Sequence, residues 1–108
     1  MDDTKSIFEK TKDIFRNKDI GLASELHHED FIFVRETSMT TREEHLADLQ
    51  EFFQNTNWHE IATLLYEDRN ILVCRYPNED GKFLYNVSLL KDGRYWRTMV
   101  HYEDEVGN

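Results

Sequence analysis

Apolar positions change their spacing along the chain, and the changes mark the elements. From Thr4 to about Asn17 they fall at Ile7, Phe8, Thr11, Ile14 and Phe15, the stripe of an amphipathic helix, with Asp2 and Asp3 favourably placed at its start. "KDIGLASELHHED" predicts a shorter second helix, with Asp19 as its N-cap and Ile20, Ala23 and Leu26 turned inward. "DFIFVRE" is aromatic and β-branched and reads as a strand. "TTREEHLADLQEFF" holds two overlapping capping boxes, Thr40 with Glu43 and Thr41 with Glu44, ahead of Leu46, Leu49, Phe52 and Phe53 at helical spacing. A third helix begins there. After "QNTN" four strand-like runs follow, "WHEIATLLYE", "ILVCRYP", "KFLYNVSLL" and "RYWRTMVHYE", divided by the turn-forming "EDRN", "PNEDG" and "KDG". Helix, helix, strand, helix and then a four-stranded antiparallel meander make an α+β protein.

Length bounds the chain at one domain, residues 1–108, and 39% hydrophobic with 13% aromatic residues supplies a core or a cavity wall. The net charge of -9 is spread along the length, so nucleic acid and anionic membrane surfaces are poor partners. Cys74 has no second cysteine to pair with, and its strand context suits a small buried apolar residue in a reducing compartment. The N-terminal residues lack a basic stretch followed by an apolar run, and no segment approaches the roughly 18 to 20 apolar residues of a membrane span. A cytoplasmic location is the expectation.

Reactive groups are present without a self-sufficient motif. His59 and Glu60 open "HEIAT", but a zinc-binding helix needs a second histidine four residues on, where Thr63 stands. His27 and His28 are adjacent, so on a strand they point to opposite faces, and a solvated polar corner is the expected setting for both. No metal is expected. No glycine-rich loop opens a helix and no triad signature surrounds Cys74 or the serines, so neither a nucleotide cofactor nor a nucleophile is indicated.

Two stretches, "LASELHHEDFIFVRE" and "LLKDGRYWRTMVHYE", carry a resemblance that extends over nearly the whole chain. Together with the element order they make it similar to the nuclear transport factor 2-like superfamily, the cone shared with ketosteroid isomerases and small polyketide cyclases. The resemblance implies three N-terminal helices packed on a strongly curved antiparallel sheet, a pocket on the concave face and a homodimer through the convex one. It turns Thr98, Val100 and Tyr102 inward with Leu84, Asn86, Ser88 and Leu90, and leaves Tyr85, Val87, Leu89, Arg97, Met99 and His101 outside. The isomerase's acid and base do not carry over, because its base position falls at Arg35 or Glu36, its protonated acid near Ser88, and the first helix has no tyrosine.

Phe31, Phe33 and Arg35 share one strand face, so Arg35 would sit at the mouth of an aromatic-lined cavity. A guanidinium there needs a partner, either an internal carboxylate such as Glu36 or Glu103 or the carboxylate of a ligand. Phe33, Arg35, Asn86, Ser88, Thr98 and Tyr102 are therefore the candidate ligand-binding residues. One functional reading is a pocket for a small apolar-bodied molecule with an anionic or carbonyl end. If such a pocket is catalytic, isomerase, lyase or hydrolase-type chemistry follows, with Tyr102 or Glu36 moving a proton. The other is a non-catalytic association module whose cone is filled by its own aromatic side chains.

Overall fold

The computed structural model describes residues 5–35, 38–77 and 81–102. Asp2, Asp3, Thr4, Glu36, Glu103 and the tail from Asp104 lie outside the described residues, as do Asn78, Glu79 and Asp80 of the "PNEDG" turn. Helix α1 spans Ile7–Asn17, α2 Ile20–Leu26, α3 Arg42–Phe52 and the single turn α4 Trp58–Ile61. Strands are β1 His27–Arg35, β2 Ser38–Thr41, β3 Thr63–Glu67, β4 Ile71–Pro77, β5 Phe83–Lys91 and β6 Arg94–Tyr102.

Helices α1, α2 and α3 each start where a short oxygen-bearing side chain takes an orphan backbone N–H. Ser6 accepts from the Glu9 amide and Asp19 from the Leu22 amide. Of the two overlapping capping boxes only Thr41 with Glu44 forms, because Thr40 is used as a strand residue opposite Phe33. "WHEI" is helical and not the start of a strand: Trp58 is buried there against Phe15, the rings 4.7 Å apart and nearly parallel. Burial of one large aromatic outweighs the weak strand preference of four residues.

The strands form one curved sheet in the order β2-β1-β6-β5-β4-β3. β3 to β6 are the expected antiparallel meander, but β1 joins β6 in parallel, so the sheet carries one parallel pair. Asp92 and Gly93 both take positive φ, 56° and 74°, in the two-residue hairpin that an Asp-Gly pair favours. Register slips twice on the meander, between Leu64 and Tyr66 and between Leu89 and Leu90, and once on β1 between His27 and Ile32. Such bulges bend and twist a sheet.

Trp96 is the extra residue at the second slip, since Leu89 faces Arg97 and Leu90 faces Tyr95. Simple alternation, which would put Trp96 in the row of Thr98, therefore breaks. Tyr95 turns inward instead, and Trp96 is half-buried with Arg97 and Lys91 over its ring. Beyond the bulge the expected rows hold: Leu84, Ser88, Leu90, Thr98 and Val100 are buried, whereas Leu89 and Met99 are exposed.

Core residues of α1, α2 and α4 close one end of the hollow side: Phe8, Ile14, Phe15, Ala23, Leu26 and Trp58 with Phe31, Leu72, Leu90 and Tyr95 of the sheet. Two polar contacts fix α1 on the sheet. Thr11 gives its hydroxyl proton to the Ile7 carbonyl, which leaves Tyr95 to donate to Thr11 Oγ1 at 2.7 Å. Glu67, on edge strand β3, accepts from the Ile7 and Phe8 amides at 2.9 and 3.3 Å, placing a carboxylate at the positive end of the helix. Glu67→Ala leaves two part-buried amides unpaired and should lower unfolding free energy by about 1–3 kcal/mol. Urea denaturation of the two proteins checks this; an unchanged midpoint would show that the clamp contributes nothing.

Candidate functional site

The helices do not fill the concave side. Between α3, the α1/α4 end and the sheet lies a cavity of about 570 Å³. Its sheet wall is built by cross-strand rows: Arg35, Val100, Asn86 and Cys74 in one, Phe33, Thr98 and Ser88 in the next, and Tyr102, Leu84 and Tyr76 in a third. The opposite wall is α3, which contributes His45, Asp48, Leu49 and Phe52. No residue of α3 is fully buried. A helix whose apolar face looks into a hollow and not onto packed side chains has that signature.

All six residues singled out from the sequence line this one cavity. Ser88 and Thr98 are buried and joined, 2.8 Å between hydroxyl oxygens, and Ser88 also donates to Asn86 Oδ1 at 3.1 Å. Because Ser88 gives its only proton to Asn86, Thr98 is the donor to Ser88. The relay engages the Asn86 carbonyl, and the Asn86 NH2 group makes no hydrogen bond among the described residues. Tyr102 stands at the rim, partly exposed.

Arg35 departs from expectation in its setting. It is exposed at the mouth and not buried, with its guanidinium 5.5 Å from the centre of the Phe33 ring. Among the described residues no carboxylate pairs with it, and Glu36 and Glu103, the internal partners considered, lie outside those residues. Asp48 and Glu51 line the same cavity from α3, so charges of both signs surround it.

Four cavity groups were not legible as such. His27 is buried, not solvated; it lies at the head of β1, and its Nδ1 is 2.6 Å from the Ala23 carbonyl one turn back in α2. His45 packs on Phe33 with ring centres 4.6 Å apart and lies 5.2 Å from His27. Burial holds both imidazoles neutral: His27 is pushed down to about 4, and His45 to about 3 with the help of the neighbouring His27 and Arg35. Burial likewise pushes the Cys74 thiol and the Tyr76 phenol up to about 12 each. Cys74 is therefore a neutral wall residue and no nucleophile. His45 shares a helical face with Leu49 and Phe52, three and four residues apart, and that spacing could have identified it. Among the described residues no group of three or more histidine, cysteine or acidic side chains is placed to hold a metal ion.

Comparison with solved structures settles the architecture. A protein of unknown function from Cytophaga hutchinsonii, described as nuclear transport factor 2-like, superposes with a TM-score of 0.62 over 94% of both chains at 13% identity. The chain has the nuclear transport factor 2-like fold. A SnoaL-like protein of unknown function from Burkholderia thailandensis reaches a TM-score of 0.66 at 12% identity, over 89% of this chain and 91% of that one. A putative polyketide cyclase from Sinorhizobium meliloti gives 0.61 at 16% identity, over 88% and 93%. No protein-family model and no curated protein matches the sequence. At such identities the likeness within the nuclear transport factor 2-like fold concerns the backbone alone.

The two cavity histidines make stability depend on pH in one direction. Their folded-state values lie below the ordinary 6.5, so the unfolded chain takes up protons first as pH falls. Their contribution is complete above about pH 6.5 and is lost progressively towards pH 4 and below. Between pH 8 and pH 5 His27 alone should cost about 2 kcal/mol, and His45 adds in the same sense. Urea unfolding across this range should show the slope in the wild type and a flatter profile in H27F/H45F; parallel profiles would refute the assignment.

Proposed function

We propose that the protein is a single-domain receptor for a small molecule with an apolar body and an anionic or carbonyl end, held in the concave cavity. The observation that carries this reading is the Arg35 guanidinium at the mouth of an aromatic-walled hollow, paired with no carboxylate among the described residues, in the same cross-strand row as Asn86, whose NH2 makes no hydrogen bond among those residues. Guanidinium and amide donors on one side suit an incoming carboxylate or carbonyl, and Phe33, Phe52 and Tyr76 suit a flat apolar body. The volume is within the range of small-molecule sites. One structural neighbour is called a putative polyketide cyclase, and cyclisation of a flat polyketone is compatible with these walls. The neutral Cys74 and Tyr76 offer no strong base, however, so binding is the primary activity proposed.

Cinnamic acid, with a planar apolar body and a carboxylate, is a suitable probe. It should raise the thermal midpoint of the wild type, and Arg35→Met should weaken its binding about tenfold or more by calorimetry. Equal binding by the variant would remove Arg35 from the site.

A second surface supports association of two copies. On the convex face a continuous row crosses all six strands: Met39, Val34, Met99, Val87, Val73 and Tyr66. Met39, Met99 and Tyr66 in it are more than half exposed. An apolar band of this extent is unfavourable in water, and Tyr85, Arg97 and His101 give it a more polar border. A homodimer through Tyr85, Val87, Arg97, Met99 and His101 covers it. Sedimentation should show a dimer that Met99→Glu converts to monomer; a monomeric wild type at micromolar concentration would exclude the pairing.

A further inference from the structure

The inner end of the cavity differs chemically from its mouth, and the difference lies in one ring. His27 is 7% exposed yet lines the cavity. A carbonyl oxygen can only accept, so the contact of Nδ1 with the Ala23 carbonyl requires the proton on Nδ1. A neutral ring with its proton there presents a bare lone pair at Nε2. Among the described residues the buried side-chain nitrogens and oxygens without a partner are His59 Nδ1 and Arg75 Nε alone. His27 Nε2 makes no hydrogen bond in those residues and is not in that pair, so it reaches open space, and the open space beside this ring is the cavity.

The ring is also held rigidly. Phe31 meets it edge-on at 4.7 Å, Tyr95 lies at 5.3 Å and His45 at 5.2 Å, while Arg42 donates from Nε to the His27 carbonyl. Nearby titratable and charged groups are His45 and Arg42 from α3 and Tyr95 from β6, with Arg35 further along β1 beyond Phe33. None of these is an acid that could protonate Nε2. Arg42 spends its other nitrogens on Ser24 and Glu43.

We infer that His27 Nε2 accepts a hydrogen bond from the ligand, so the bound molecule carries a hydroxyl or N–H at the end opposite its carboxylate or carbonyl. The inference rests on the small-molecule reading above and narrows its substrate class to elongated apolar molecules with an acceptor at one end and a donor at the other. The role assigned to the ring is recognition and positioning of that donor. A site that buries an acceptor discriminates strongly against analogues that cannot satisfy it.

Three probes of one shape separate the possibilities: p-hydroxycinnamic, p-methoxycinnamic and cinnamic acids, titrated by calorimetry into wild type and His27→Phe. Wild type should prefer the hydroxy acid over both others about tenfold or more, and the preference over cinnamic acid should vanish in the variant. A preference that survives in His27→Phe overturns the inference while leaving the cavity as the binding site. Failure of all three acids to bind overturns both readings. The wild type gives a second readout that does not depend on the variant folding. Long-range proton–nitrogen spectra should show His27 protonated on Nδ1, with Nε2 shifted by the hydroxy acid and not by cinnamic acid. An Nε2-protonated His27, or the same response to both acids, contradicts the assignment.

Discussion

The stacking of Phe15 on Trp58, 4.7 Å between ring centres, is the contact on which the cone depends. It ties α1 to the turn α4, and Phe8 and Phe53 meet the same pair of rings. Because this aromatic block occupies one end of the hollow side, the sheet has something to curve around and α3 is left spanning space. Were those rings smaller, α3 could settle onto the sheet and the cavity would close, since interiors seek close packing. The Glu67 carboxylate on the α1 amides and the Tyr95 hydroxyl on Thr11 fix the direction in which that block leans.

From that arrangement the two faces acquire different compositions. Inward rows keep polar groups such as Asn86, Ser88 and Thr98 amid apolar walls, an arrangement that costs stability unless every polar atom is satisfied. The Thr98–Ser88–Asn86 relay joins all three through hydrogen bonds, and among the described residues only the Asn86 NH2 is left without one. One outward row, Val34, Met99, Val87 and Val73, is apolar across the middle of the sheet, and no described helix packs on it.

Much of this was readable in the letters, and the failures have physical causes. Period-two alternation grouped Thr98 with Val100 and Leu84 with Ser88, and the family resemblance turned those rows inward, where they are buried. The rule broke at Trp96, where a bulge inserts a residue that alternation cannot foresee and Tyr95 takes the inward place. "WHEI" was lost to a helical turn because tertiary burial of Trp58 overrode local preference. The parallel pairing of β1 with β6 joins the first long strand to the last, a contact no local pattern encodes. His27 looked like a polar corner residue; only the nearness of the Ala23 carbonyl and the Phe31 ring makes it a buried, neutral acceptor.

Whether the cone is hollow decides the rest, and xenon tests it directly because the atom enters dry apolar cavities and little else. In xenon-saturated buffer, methyl and amide resonances of Ile14, Leu49, Cys74, Leu84 and Val100 should shift together, with Val73, Val87 and Met99 on the far face unmoved. Unshifted inner resonances, or shifts confined to the convex row, would mean a filled cone and contradict a cavity that receives a ligand.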